Sequence, residues 1–266
     1  MIKIAVNGAL GRMGSRILNL AYQSVDFKIT AGFEHPGNKA LGKDLGMALG
    51  LGEALRVKLS GIAAQNLKGS QVLIDFSSPE GTSKCLEAAS RTRTALVIGT
   101  TGLGSELLAH IKEASKKIAI LQSPNMSLGA NLLFEISRTA AARLKAGYDI
   151  EIIEAHHRLK KDAPSGTAKK IAEIIAKEKN WDLGRAAHYG REGMTGERPV
   201  EEIGIHVVRA GDIVGEHTVM FSGPGETIEL THRAQSRDAF ARGALAAALF
   251  VSKRRNGLYS MADVLK

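Results

Sequence analysis

The passage from Ile2 to Gly14 restricts the fold more than any other part of the chain. The β-forming run Ile2-Lys3-Ile4-Ala5-Val6 breaks at Asn7-Gly8 and continues through Ala9-Leu10-Gly11-Arg12-Met13-Gly14 into an amphipathic stretch. Glycines therefore stand at 8, 11 and 14, between a strand and a helix. Glycine there allows a tight turn and lets the backbone approach a pyrophosphate, whose charge meets the free N–H groups of the helix N-terminus. The spacing is G-x-x-G-x-x-G, because Leu10 stands where the commoner G-x-G-x-x-G pattern has glycine.

The rest of the first half keeps the rhythm this opening sets. Apolar β-branched runs near residues 2–7, 27–33, 71–76, 94–99 and 118–122 alternate with helical patterns near 12–24, 80–91 and 104–116. That is the pattern of βαβ units and a doubly wound, Rossmann-type parallel sheet. From Asp149 the rhythm changes to a strand at 149–156, a helix near 166–178 and β runs near 202–210, 213–222 and 226–234. Short turn signals at Ala210-Gly211-Asp212 and Gly223-Pro224-Gly225 predict that the last three runs are antiparallel neighbours. The fold class is thus α/β, a Rossmann-type domain plus a second α+β domain with a mixed sheet. A final helix at about 238–252 is expected to return to the first domain. The expected boundaries are 1–126 with 237–266 for dinucleotide binding, and 127–236 for substrate binding and oligomerisation.

Charge and composition narrow the function classes. The formal charge is +9, which invites a nucleic-acid reading, but its distribution argues otherwise. Residues 1–126 hold 15 Lys and Arg against 9 Asp and Glu, residues 127–236 hold 15 against 16, and residues 237–266 hold 6 against 2. The excess lies at the two ends of the chain, with no long basic run and no aromatic-basic recognition surface, so no nucleic-acid partner is expected. A positive surface equally attracts a dinucleotide and a dicarboxylate. The longest apolar stretch, Gly243 to Ser252, is too short to span a bilayer, and no membrane partner is expected. The opening residues lack the pattern of a signal peptide, and a cytoplasmic protein is expected. Cys85 is the single cysteine, which excludes a disulfide framework and suits a small buried hydrophobe.

Further cofactor residues follow from the first domain's strand ends. Glu34 ends the second strand at the distance where an acidic side chain accepts hydrogen bonds from the adenosine ribose. A carboxylate there repels a 2′-phosphate and favours NADH, while NADPH stays possible because His35 beside it softens the bias when protonated. Gly99-Thr100-Thr101 and Ser123-Pro124-Asn125-Met126 close the next strands at the carboxyl edge, where doubly wound sheets bind ligands. The run Gly37 to Asp44 nearly fits a P-loop, but Asp44 replaces the hydroxyl residue that holds magnesium, and a surface loop is expected.

The densest chemistry lies in Glu154-Ala155-His156-His157-Arg158-Leu159-Lys160-Lys161-Asp162-Ala163-Pro164-Ser165-Gly166-Thr167-Ala168. Two imidazoles and several cations precede a helix start with Ser165 as N-cap, so the N–H groups of Gly166 and Thr167 could bind a carboxylate. Histidine titrates near neutrality and can deliver a proton as hydride arrives. Adjacent strand residues point to opposite faces, and no H-E-x-x-H motif or cysteine pair is present, so no metal is expected. Physics alone reads this as an anion site with a proton donor.

The string at 154–168 resembles the signature of the 4-hydroxy-tetrahydrodipicolinate reductases, also called dihydrodipicolinate reductases, of the diaminopimelate and lysine pathway. The segments G-A-L-G-R-M-G at 8–14, V-I-G-T-T-G at 97–102 and R-A-G-D-I-V-G-E-H-T at 209–218 support it, and the resemblance covers essentially the whole chain. It implies His156 as catalytic acid/base, Lys160 as a partner proton donor, and His157, Gly166 and Thr167 as ligands of the substrate carboxylates. It implies cofactor contacts from Gly8, Ala9, Leu10, Gly11, Arg12, Met13, Glu34, Gly99, Thr100, Thr101, Ser123, Pro124, Asn125 and Met126. The implied reaction is NAD(P)H-dependent reduction of the cyclic dicarboxylate to tetrahydrodipicolinate with loss of water. The resemblance also implies a homotetramer built through the second domain's sheet. Many members carry Arg after the acidic ribose ligand, where this chain has His35. Two rival readings are a dehydrogenase of amino or imino acids, and a dinucleotide sensor without chemistry.

Overall fold

A computed structural model describes residues 1–266. The chain forms two compact units, Met1–Leu128 with Arg237–Lys266, and Gly129–Ser236.

The first unit is a seven-stranded, wholly parallel sheet. Its elements are β1 (Ile2–Asn7), α1 (Gly14–Tyr22), β2 (Phe27–Phe33), α2 (Leu45–Leu49), β3 (Leu59–Ser60), α3 (Ala64–Leu67), β4 (Val72–Asp75), α4 (Pro79–Thr92), β5 (Ala95–Ile98), α5 (Ser105–Ala114) and β6 (Ala119–Gln122). The second unit then supplies α6 (Leu128–Arg143), β7 (Asp149–His156), α7 (Gly166–Lys179), α8 (Leu183–Ala186), β8 (Ala187–Tyr189), β9 (Ile203–Arg209), β10 (Gly215–Gly223) and β11 (Glu226–Ala234). The chain returns to the first unit with α9 (Asp238–Val251), β12 (Gly257–Tyr259) and α10 (Met261–Val264). The first sheet has the order β12-β6-β5-β4-β1-β2-β3. The order reverses direction between β4 and β1, the switch point at which such sheets hold ligands beyond their carboxyl ends.

Alternation along the strands explains the two apolar layers. Ile4 and Val6 of β1 pack with Ile17, Leu18 and Ala21 of α1 and with Ala244 and Val251 of α9. Ala5 between them faces the other way, into a layer with Leu73, Leu96, Cys85, Leu86 and Ile111. Strands buried on both faces read as nearly continuous apolar runs, which is how these appear in the sequence. Cys85 is fully buried, and burial pushes its thiol well above the ordinary range. Asp44 is the N-cap of α2, its carboxylate accepting from the N–H groups of Gly46, Met47, Leu55 and Val57. The apparent P-loop is therefore a capped turn whose acid is consumed by backbone.

In the second unit the order is β11-β10-β7-β9-β8. The expectation of three antiparallel neighbours needs correction. Strands β10 and β11 form a hairpin, but β9 runs parallel to β7, and β10 pairs antiparallel with the other edge of β7. The Ala210–Asp212 turn thus carries the chain across β7 rather than into a hairpin. Its bonds support that path, because Ala210 N–H donates to His156 O and Arg158 N–H donates to Gly211 O. One face of the sheet is covered by α7 through Ala168, Ile171, Ala172, Ile175 and Ala176, a helical i, i+3, i+4 stripe packed on Ile150, Ile152, Ile203 and Phe221. No helix of the structure is long and apolar enough to cross a membrane.

Candidate active site

The dinucleotide side begins where β1 ends. Gly8 has φ +73°, and a Cβ there would lie 2.4 Å from Phe76 O. A Cβ at Gly14 would lie 2.0 Å from Gly8 O, so the first helical residue and the turn touch backbone to backbone. Phe33 O accepts from both Gly8 N–H and Ala9 N–H at 3.0 Å, which pins the turn to the end of β2. Glu34 follows, with Oε1 accepting from Leu10 N–H at 2.7 Å. Together Gly8, Leu10, Gly11 and Glu34 line a cleft of about 740 Å³, with His35 and Lys84 also on its wall. A cleft of this size admits a small ligand group, and a side chain at 8 or 14 would collide with the backbone that shapes the turn.

The remaining expected cofactor residues lie elsewhere along the sheet's carboxyl edge. Arg12 is exposed on the turn, Met13 packs against the core, and neither they nor Ala9 line the cleft. Gly99, Thr100 and Thr101 follow β5, with Thr100 buried and Thr101 exposed. Beyond β6, Ser123 Oγ donates to Asn125 O at 2.7 Å, Asn125 Oδ1 accepts from Ser127 N–H, Pro124 is exposed and Met126 is core.

The second unit holds the titrating groups. Glu154 and His156 share the α7 face of β7, since residues two apart on a strand face the same way. Glu154 is fully buried and accepts from four donors: His156 Nδ1–H at 2.6 Å, Ser165 N–H at 2.9 Å, and both terminal nitrogens of Arg209 at 2.8 and 2.9 Å. A carboxylate accepts only, so the proton of His156 sits on Nδ1 and Nε2 is the atom left for chemistry. A Cβ at Gly215 would lie 3.1 Å from that Nε2, so a glycine leaves the ring its room. Burial pushes the His156 imidazole below its ordinary range, the bond to Glu154 and its charge oppose that, and the charges of Lys160 and Arg209 add to it. Burial would raise Glu154, but Arg209, His156 and the Ser165 N–H together hold it low.

Ser165 caps α7 as expected, its Oγ accepting from Ala168 N–H at 3.2 Å. The same hydroxyl meets His217 Nε2 at 3.0 Å, and His217 packs edge-on against His156 with ring centroids 5.2 Å apart. Burial, with the neighbouring His156 charge, pushes His217 down to about 3, so this ring is neutral. Gly166 is exposed at the helix start, with nothing within 4 Å of where a Cβ would sit, and Thr167 follows it half-buried. His157 is half-buried, and its Nδ1 is buried without a hydrogen-bond partner. Lys160 Nζ pairs with Asp162 Oδ1 at 2.9 Å. The segment 156–167 thus brings an oriented imidazole, a lysine and an open helix N-terminus into one stretch. Sequence reasoning missed Arg209, Gly215 and His217, although all three lie in the 209–218 segment. No group of three or more His, Cys, Asp or Glu stands in a metal-holding arrangement.

Comparisons with known proteins match the chain over nearly its whole length. Residues 2–126 match the family model "Dihydrodipicolinate reductase, N-terminus", and residues 129–265 match "Dihydrodipicolinate reductase, C-terminus". The chain is similar to the 4-hydroxy-tetrahydrodipicolinate reductase of Nitrosomonas europaea, at 47% identity over 99% of this chain and 98% of the relative. It is 47% identical to that of Syntrophotalea carbinolica, over 100% and 99% of the two chains. Among solved structures it resembles a dipicolinate-bound dihydrodipicolinate reductase from Paenisporosarcina sp. TG-14, with TM-score 0.77, 25% identity, and coverage of 98% and 97%. An amine dehydrogenase from Mycobacterium smegmatis shares the fold at TM-score 0.63 and 12% identity.

Proposed function

Because this chain belongs to the dihydrodipicolinate reductase family, we propose that it reduces 4-hydroxy-tetrahydrodipicolinate to tetrahydrodipicolinate in the diaminopimelate and lysine pathway. The observation that carries the reading is His156, its Nδ1 held by buried Glu154 and its Nε2 left for proton transfer, a few residues before the open start of α7. Nicotinamide, as NADH or NADPH, supplies the hydride.

The residues divide the remaining work. The hydroxyl leaves as water with a proton from the neighbouring ring carbon, which forms a C=C bond conjugated to the imine; hydride adds at the carbon that bore the hydroxyl, and the neighbouring carbon of the resulting enamine takes a proton back. His156 in its imidazolium form, protonated on Nε2 as well as Nδ1, delivers that proton and returns to the neutral ring, and Lys160 is the partner donor once released from Asp162. His157, with the Gly166 and Thr167 N–H groups, binds the two carboxylates, since a helix N-terminus favours anions. Glu154 and Arg209 are positioning residues: they fix the ring's tautomer and orientation without touching substrate. On the dinucleotide side, Gly8 to Met13 hold the pyrophosphate and Glu34 the ribose, with Gly99 to Thr101 and Ser123 to Met126 completing the contacts. Glu34 favours NADH.

The amine dehydrogenase likeness concerns the fold alone, and the 154–168 segment separates the two readings. We place the protein in the cytoplasm and assign it a homotetramer built on the second sheet, whose uncovered face presents Ile153 and Val208 partly exposed. The test supplies purified protein with fresh 4-hydroxy-tetrahydrodipicolinate and follows NADH and NADPH oxidation, with His156→Ala alongside. Turnover that the variant abolishes, with its NADH affinity intact, supports the assignment. Loss of NADH affinity in the variant, or no turnover by the wild type, refutes it.

A further inference from the structure

Asp75 ends β4 at the switch point of the first sheet, and it is fully buried. The partners of its carboxylate are all neutral donors. Oδ1 accepts from Asn7 Nδ2 at 2.8 Å and Ser77 Oγ at 2.5 Å, with the Cys85 thiol at 3.7 Å. Oδ2 accepts from Thr82 Oγ1 at 2.6 Å and Thr100 Oγ1 at 2.8 Å. A carboxylate only accepts, so the hydroxyls within reach donate to it. The same hydroxyls also accept, Ser77 Oγ from Asn7 Nδ2 at 2.9 Å and Thr100 Oγ1 from Ser77 N–H at 2.9 Å, which ties the donors to one another.

The donors come from four parts of the unit: the end of β1, the loops after β4 and β5, and α4, which carries Thr82 and Cys85. Asn7 precedes the glycine turn, Ser77 follows β4 in the wall of the cleft, and Thr100 lies in the loop after β5. These loops are also in van der Waals contact. A Cβ at Gly8 would strike Phe76 O, and one at Gly99 would lie 2.2 Å from the Phe76 ring. Close contact alone leaves the loops free to slide, whereas a shared acceptor fixes their register.

We infer that Asp75 is a positioning residue for the dinucleotide, holding the loops that start at Asn7, Phe76 and Gly99 in the arrangement that binds it. The inference rests on the dinucleotide reading of that cleft. Asparagine at 75 keeps the shape but replaces one acceptor oxygen with a donor, so at least one bond is lost or reversed. A mispaired buried polar group is costly, and here the loop that relaxes is the one that forms the cleft.

The test measures NADH affinity by isothermal titration, with thermal melting and steady-state kinetics, for wild type, Asp75→Asn and Thr82→Val. Thr82 donates to Asp75 from α4 and does not line the cleft, so its variant carries the test if Asp75→Asn fails to fold. The expected result is a Kd and KM for NADH raised on the order of tenfold in Asp75→Asn, and less in Thr82→Val. The kcat at saturating NADH and the KM for the dicarboxylate stay near wild type. A lowered melting temperature with unchanged NADH affinity assigns Asp75 to stability alone and overturns the inference. Wild-type protein that binds no dinucleotide overturns the cofactor reading itself, and the inference with it.

Discussion

Gly14→Ala tests the cofactor cradle at the point where its geometry is least forgiving. The added Cβ would stand 2.0 Å from Gly8 O, 2.8 Å from Gly8 C and 3.0 Å from Ala9 Cα, and real Cβ atoms essentially never approach a neighbour within 3.0 Å. The shortfall is about 1 Å, against backbone atoms that cannot rotate away. The turn cannot retreat easily, since Gly8 and Ala9 N–H are bonded to Phe33 O. Helix α1 must therefore move off the turn, against the packing of Ile17, Leu18 and Ala21. Overpacking of this kind costs about 1–3 kcal/mol, of which alanine's better helix propensity returns at most about 1 kcal/mol. In a unit of this size that lowers the melting temperature by only a few degrees, at roughly 2–4 °C per kcal/mol. The effect on binding is larger, because the turn and the first helical N–H groups must converge on one pyrophosphate, and a displacement of about 1 Å removes that convergence. NADH titration should show Kd raised tenfold or more. Gly166→Ala is the matched control: its Cβ meets nothing, so NADH affinity should hold while KM for the dicarboxylate rises. Gly14→Ala binding NADH as tightly as wild type would refute the cradle.

Glu154→Gln removes the charge that helps hold His156 up against burial, so the imidazole falls further below its ordinary range. An acid works when protonated, so activity is lost as pH rises through its pKa, and the descending limb of kcat against pH should move to lower pH. An unmoved limb, with folding intact, dissociates Glu154 from the acid. His35→Arg should raise the ratio of NADPH to NADH turnover, and an unchanged ratio means residue 35 does not face the 2′-position. Glu151 lies in the second unit, where burial would raise its carboxyl but Arg191, His206 and Arg198 pull it from 4.5 to about 2. A depressed carboxyl contributes stability that is full above its unfolded pKa and disappears as pH falls through the folded one. Acid melts should therefore show Glu151→Gln less sensitive to pH between 4.5 and 2 than wild type, and parallel curves would remove Glu151 as the cause.

The sequence was legible wherever its information is local. The Rossmann-type unit follows from nearly continuous apolar runs alternating with amphipathic stretches and from glycine placement, and β7 runs over the expected residues, with Ser165 capping α7 three residues before Ala168. Helix α1 begins at Gly14 rather than 12, because residues 9–13 are used as turn. What stayed hidden depends on distant partners. Arg209 reaches Glu154 across 55 positions of sequence, through a parallel β7–β9 pairing that the intervening turn signals argued against. A short turn allows a hairpin without requiring one, and both strands pair with β7 instead. Asp75 was equally silent, since one acid at a strand end shows nothing of the four side chains of Asn7, Ser77, Thr82 and Thr100 that it collects.

The first unit is written in two pieces, and translation reads them in order. Helix α9 supplies Ala241, Ala244, Leu245, Ala247, Ala248 and Val251 to the layer over Val97 and Leu121, and β12 adds the strand beside β6. While residues 129–236 are being made, α1 covers part of that layer, but the part that α9 will take, over Val97 and Leu121, stays open. At about 5–20 residues per second the ribosome leaves an apolar patch open for roughly ten seconds, during which the second unit can finish folding. The nascent chain is thus most vulnerable to aggregation at the half that is synthesised first, and chaperone protection has its greatest value there.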